Sequence, residues 1–386
     1  MTTIIGNGQT QNVSGFLAID EIVQSGGDVE VGVTGEAAVV TINGGGVERV
    51  NGGLAAYTTV QGSANAGGGG WNALLQVNSG SAEYTTLNSD GAMYVYNQGF
   101  AEFTTVNNGG FADDGGLMWS TTVNSGGLMI VQSNAAAGDT TIQQGGIAWV
   151  ESLPAANVGT GNVGGGMVSS GGVLVGTVVD NGRLNYDVGS GNNTFSGDLS
   201  GSGTLAVMSV ANKVWGGGGT LVITSALNNN VSLDIDNLDG YAPAPGYDFQ
   251  NPGMTLELQK ASNNKVTFLG GNNTLRLDDS REFTGTVAGL AHNTVDLVDM
   301  TYLGGLTKLS FSENAAGTGG TLTLSDPNGL TVSLNLLGQY SAAGFRLSGD
   351  GIGQGFTGTA ITYDPNFIIP HVPSTHTPTH LAAPMS

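Results

Sequence analysis

The chain repeats itself, and the repeat is too short to fold alone. Ala101–Gly127 reads AEFTTVNNGGFADDGGLMWSTTVNSGG, so Thr-Thr-Val-Asn followed by a glycine pair occurs twice. An aliphatic residue followed by Asn or Gln returns at Val23, Ile42, Val60, Leu87, Val106, Val123 and Ile142. These anchors are separated by 19, 18, 27, 19, 17 and 19 residues. The long spacing contains Gly67–Gly70, read as a loop inserted into one repeat. Copies at Val50-Asn51, Val77-Asn78, Tyr96-Asn97 and Val131-Gln132 fall between the anchors, so two short units make one period.

Each segment, such as Tyr84-Thr85-Thr86-Leu87, alternates inward and outward positions and is rich in strand formers. A segment this short cannot bury a core by itself. Glycine, Asn and Ser tolerate the positive-φ backbone that a tight corner needs. Coils of about 19 residues stack so that each strand pairs with its equivalent one coil later. Val, Ile and Leu then lie inside and Asn at the turns. The expected fold is all-β: a parallel β-helix (β-solenoid) followed by a C-terminal β-rich module. At roughly 4.8 Å per coil, the solenoid over residues 20–190 is expected to be about 40 Å long.

Composition removes several alternatives. The chain has 67 glycines among 386 residues but no Gly-X-Y period and only 10 prolines, which excludes collagen. Thirty acidic residues against 9 basic ones give a formal charge of −21. Such a chain repels nucleic acid and anionic membranes. Cysteine is absent, so disulfides, zinc–thiolate sites and thiol nucleophiles are excluded. No run of about 18 apolar residues is present to cross a membrane as a helix. The start, MTTIIGNGQTQNVSGF, lacks the basic and apolar regions of a classical signal peptide.

The repeated Val-Asn-Ser-Gly-Gly turns between Thr-rich strands, over residues 20–182, resemble the passenger repeats of AIDA-type and antigen-43-like adhesins. The resemblance implies an extracellular β-helix. The terminal membrane barrel of an autotransporter has no counterpart in the sequence. Residues 264–364 resemble a C-terminal module of large bacterial surface proteins exported by type I secretion. The pieces are Gly271–Asp279, Phe283–Val287, Asn293–Leu297, Thr318–Asp326, Leu336–Tyr340, Phe345–Gly351 and Thr362–Pro365. That resemblance implies a secretion signal at the C-terminus.

The organisation expected is an N-terminal segment 1–19, a repeat solenoid 20–190, and continued solenoid with an inserted loop over 191–263. The C-terminal module 264–364 and a Pro- and His-containing tail 365–386 follow. The prolines of Tyr241–Tyr247 mark the inserted loop, since they would break a central strand. In the tail, His371, His376 and His380 have weak metal-ligand spacing, but the Pro, Ser and Thr between them suit an extended tail.

Chemistry is sparse. Before Arg183 the only basic side chain is Arg49, with no histidine or lysine, which argues against lyase chemistry there, since that needs a cation and a base together. Hydrolysis needs two carboxylates on one face. The adjacent pairs Asp113-Asp114 and Asp278-Asp279 would point to opposite faces of a strand. No G-x-S-x-G or H-E-x-x-H motif occurs. Calcium is the ligand that carboxylate oxygens suit best, with Asp234, Asp236 and Asp239 as candidates. Their spacing is not that of an EF-hand loop. Tyr57, Tyr84, Phe103 and Trp119 precede the Thr-Thr steps and are the candidate binding face. Turn chemistry or an amide ladder accounts for the Asn positions, and strand propensity accounts for the threonines.

The function expected is that of a secreted, non-enzymatic structural protein that self-associates, head-to-tail or laterally, into a filament, matrix or surface array. Its setting would be extracellular, at a cell surface or in a biofilm matrix. The alternatives are an adhesin that binds extracellular polysaccharide or another cell through a lateral face, and a polysaccharide-acting enzyme.

Overall fold

The computed structural model describes residues 2–62, 72–151, 171–189, 191–208, 218–236, 253–351 and 358–367. Gly67–Gly70, Asp239, Tyr241–Tyr247 and the three tail histidines lie outside these residues.

The fold is a parallel β-helix. Val23, Ile42, Val60, Leu87, Val106, Val123 and Ile142 pair in one continuous ladder, and all are buried. The repeat therefore marks the inward rungs of one wall. A second wall carries Ala18, Ala37, Ala55, Ala82, Ala101, Met118, Ala137 and Leu174 in register. The third wall is the longest. Its inward column runs Val29, Glu48, Leu75, Met93, Ala112, Met129, Ala148, Leu184, Leu205, Leu233, Val266 and Val287. Every rung follows from the strand period of two, which sends alternate side chains inward.

Corners explain the sequence phrase. Gly26, Gly45, Gly109, Gly126 and Gly145 have φ between 72° and 85°, a conformation that costs glycine nothing and other residues much. Beside them an amide ladder climbs the stack. Gln61 donates to Asn43 at 2.9 Å, Asn107 to Asn88 at 2.9 Å and Asn124 to Asn107 at 2.8 Å. The Thr-Thr step divides between two faces. Thr58, Thr85, Thr104, Thr121 and Thr140 are buried, while Thr59, Thr86, Thr105, Thr122 and Thr141 form an in-register column on the other face.

The stack begins earlier and ends later than the repeat suggests. Thr3–Ile5 pairs in parallel with Leu17–Val23, and Thr10–Val13 with Asp28–Gly32, so the first coil lies within residues 1–19. Beyond residue 190 the parallel order continues. Asn192–Phe195, Thr220–Ile223, Thr255–Leu258, Thr274–Leu277 and Thr294–Leu297 form a second parallel sheet. Residues 264–297 are thus further coils, and the antiparallel part starts only at Lys308.

That part covers the C-terminal end. Lys308–Glu313, Gly319–Ser325 and Thr331–Leu337 form an antiparallel sheet, and its last strand docks on Thr286–Ala288. Thr359–Tyr363 and Phe345–Gly349 close the other sheet against Thr294–Leu297. Phe311, Tyr340, Phe345 and Tyr363 pack together beneath them. Head-to-tail addition needs a bare strand edge at both ends of the stack. At the C-terminal end those edges are already paired.

Candidate functional site

The lateral wall built on the alanine column carries the candidate aromatic face. Directly after each outward strand residue, one residue adopts a left-handed backbone: Asp20, Val39, Tyr57, Tyr84, Phe103, Ser120 and Asp139, with φ from 50° to 62°. This corner redirects the chain from the alanine wall into the Thr-Thr step. A bulky side chain pays strain there, on the order of 1–3 kcal/mol.

Three of the four expected aromatics meet. The Tyr57 and Tyr84 rings lie 4.8 Å apart at 6°, and those of Tyr84 and Phe103 lie 4.9 Å apart at 11°. Stacking of this kind contributes about 0.5–1.5 kcal/mol per pair, which offsets part of the strain. The rings remain 59%, 44% and 42% exposed. Trp119 does not join them, and its expected equivalence is corrected. It pairs with Glu102, one position before Phe103, and Ser120 occupies the corner. The Trp119 ring instead lies over Gly138 of the following coil, where a Cβ would strike it. The sequence shift arises because the step there is Trp-Ser-Thr-Thr, one residue longer before the threonines.

Apolar side chains extend this wall beyond the rings. Leu17, Ile19, Val39 and Leu117 on the same strands and corners are exposed. Every described charged residue among them is acidic, with Glu83 and Glu102 in register.

The acidic candidates separate. Asp113 faces outward and accepts from Gln132 at 2.6 Å, whereas Asp114 faces inward, is buried, and accepts from the Gly116 amide at 3.0 Å. Burial pushes the Asp114 carboxyl up to about 7. The pair thus shares no face on which two carboxylates would flank a bond. Asp234 and Asp236 both face outward on strand Ser232–Asp236. Asp236 pairs with Arg183 at 3.6 Å, and burial raises the Asp234 carboxyl, with Arg183 opposing. Asp239 lies outside the described residues. Among the described residues, no group of three His, Cys, Asp or Glu side chains is placed to hold a metal ion.

Two features escaped sequence reasoning. Carboxylates occupy core rungs: Glu48 sits between Val29 and Leu75, and Asp180 follows Ile142. Burial pushes Glu48 up to about 8 and Asp180 to about 7. The second feature is a charged row on the outer face of the second parallel sheet, where Glu257, Arg276 and Asp296 stand in register beside Thr255, Thr274 and Thr294. Its sequence signal is the recurring Thr-apolar-charged-Leu of TLEL, TLRL and TVDL.

No protein-family model matches the chain, and no curated protein matches it. Among solved structures, it is similar to a TibC-catalysed hyper-glycosylated fragment of TibA, spanning residues 55–350 of that protein. The two are 21% identical with a TM-score of 0.44, over 75% of this chain and 91% of that one.

Proposed function

We propose that the chain is a non-enzymatic extracellular scaffold that associates side by side with copies of itself through the wall carrying Tyr57, Tyr84 and Phe103. The observation that carries this reading is the ring stack itself. A glycan platform offers ring faces to a sugar. Here the faces are turned to one another at 4.8 and 4.9 Å, and the edges form an apolar ridge. A ridge flanked by exposed Leu17, Ile19, Val39 and Leu117 suits another apolar wall. The covered C-terminal edges favour lateral over head-to-tail contact. The extracellular setting follows the resemblance of the repeats to adhesin passengers. The absence of a shared carboxylate face at Asp113-Asp114 supports a non-catalytic role.

Electron microscopy of the purified chain, with and without calcium, tests this reading. Laterally bundled or sheet-like particles are expected, and they should increase with salt, because acidic walls repel one another until screened. Isolated rods under every condition would overturn it.

A further inference from the structure

The charged row on the second parallel sheet lies in a groove of about 320 Å³, closed at one end by the antiparallel strands. That volume is at the small end of ligand pockets. Its floor holds Glu257, Arg276 and Asp296, with Asp350 at the rim and the threonine row alongside. Arg276 is engaged by Asp278 at 3.2 Å and Glu257 at 3.6 Å, and it forms no ion pair with its register partner Asp296, on which it acts only through space. Asp296 is 5% exposed, and its Oδ1 has no hydrogen-bond partner among the described residues. A buried carboxylate oxygen left without a donor is costly. This one lines a solvent-open groove whose described lining residues include three carboxylates and one guanidinium.

The deficit is therefore of positive charge and of N–H donors. A metal ion would need several oxygens converging on one point, and no such cluster is formed among the described residues. An ammonium group needs only acceptors spread around it, each taking one N–H. The in-register hydroxyls of Thr255, Thr274 and Thr294 add donors and acceptors spaced for a polyol. Among the described lining residues no aromatic ring is present to stack a neutral sugar.

We propose that this groove binds a protonated primary amine carried on a small polyhydroxylated ligand, the amino-sugar class. Asp296 and Asp350 face the ammonium, and the threonine row faces the hydroxyls. In chain order the second parallel sheet follows the third wall as the alanine column does, so the site lies coils beyond the aromatic ridge on the same side of the stack and shares no residue with it.

Calorimetric titration of the full chain with glucosamine, glucose and N-acetylglucosamine tests the assignment. Saturable binding of glucosamine is expected, with the other two weaker by about tenfold or more, since neither offers a charge-assisted donor. Asp296→Asn should weaken glucosamine by about tenfold, while Asp113→Asn on a distant wall should leave it unchanged. If circular dichroism shows that Asp296→Asn does not fold, Asp350→Asn at the rim reads the same loss. Equal binding of glucose and glucosamine, no binding of any of the three, or full retention in the folded Asp296 or Asp350 variant would overturn the proposal.

Discussion

The two halves of the stack share one parallel ladder and differ in what holds their corners. In the N-terminal half, corners are surface features. Left-handed glycines turn the chain, and amide rungs such as Asn107–Asn88 cross between coils in partly buried positions. In the C-terminal half the corners turn inward onto buried Asn side chains. Asn264, Asn273 and Asn293 are at most 2% exposed. Asn293 alone donates to the carbonyls of Gly270, Gly289 and Ala291 at 2.8–3.0 Å and accepts the Asn273 amide at 2.9 Å. The contrast shows that a solenoid does not need a regular sequence. It needs each corner's backbone groups satisfied, by a surface rung or by a buried amide.

The difference can be broken by one pair of substitutions. Asn293→Ala should lose about 3 kcal/mol or more, because several buried backbone groups lose their partner. Asn107→Ala should lose only about 1 kcal/mol, since water replaces a partly exposed rung. Urea midpoints followed by far-UV circular dichroism compare the two. Equal losses would mean that the corners are held alike.

The halves also differ inside. Glu48 and Asp114 occupy the N-terminal interior, whereas Asp296 lies on an outer face. Burial raises Glu48 from 4.5 to about 8 and Asp114 from 3.8 to about 7. A carboxyl with a raised folded-state pKa holds its proton longer when folded than when unfolded. Stability should therefore fall as pH rises through the window from 4.5 to about 8 for Glu48. Glu48→Gln should flatten that slope and gain on the order of 2 kcal/mol at about pH 9, with little change at about pH 5. Thermal melts across this range check it. A slope unchanged by Glu48→Gln would place the titration elsewhere.

A smaller effect is expected at Gly138. A Cβ there strikes the Trp119 ring rather than backbone. Gly138→Ala should cost about 1 kcal/mol and shift Trp119 fluorescence to the red as the ring swings into water. At Gly201, by contrast, φ is 115° and a Cβ meets the Asp180 carbonyl, which cannot swing aside.

What was legible in the sequence follows the same division. Val23 to Ile142 announce themselves because each aliphatic rung is tied to an Asn or Gln and, at Val23, Ile42, Val106, Val123 and Ile142, to a left-handed glycine three residues later. The period fades after Ile142 because Asp180 takes the next aliphatic rung and buried Asn side chains join left-handed glycines such as Gly270 and Gly289 at the later corners. The charged row has a local signature in TLEL, TLRL and TVDL, but nothing local encodes its depth. Asp296 is buried by Thr359–Tyr363 returning from far along the chain in antiparallel register, and no local pattern encodes that return. Trp119 was misplaced by one residue because corner position is set by pairing with Glu102, not by distance from the threonines.

The central claim is that the aromatic wall is a surface for a second copy. Sedimentation velocity over a concentration series tests it directly, on the chain and on a Tyr57→Ser, Tyr84→Ser, Phe103→Ser variant. The wild-type chain should associate with rising concentration and more so at high salt. The variant, unchanged in circular dichroism, should remain monomeric. Association that survives the three substitutions, or a wild-type chain that stays monomeric throughout, would contradict the account.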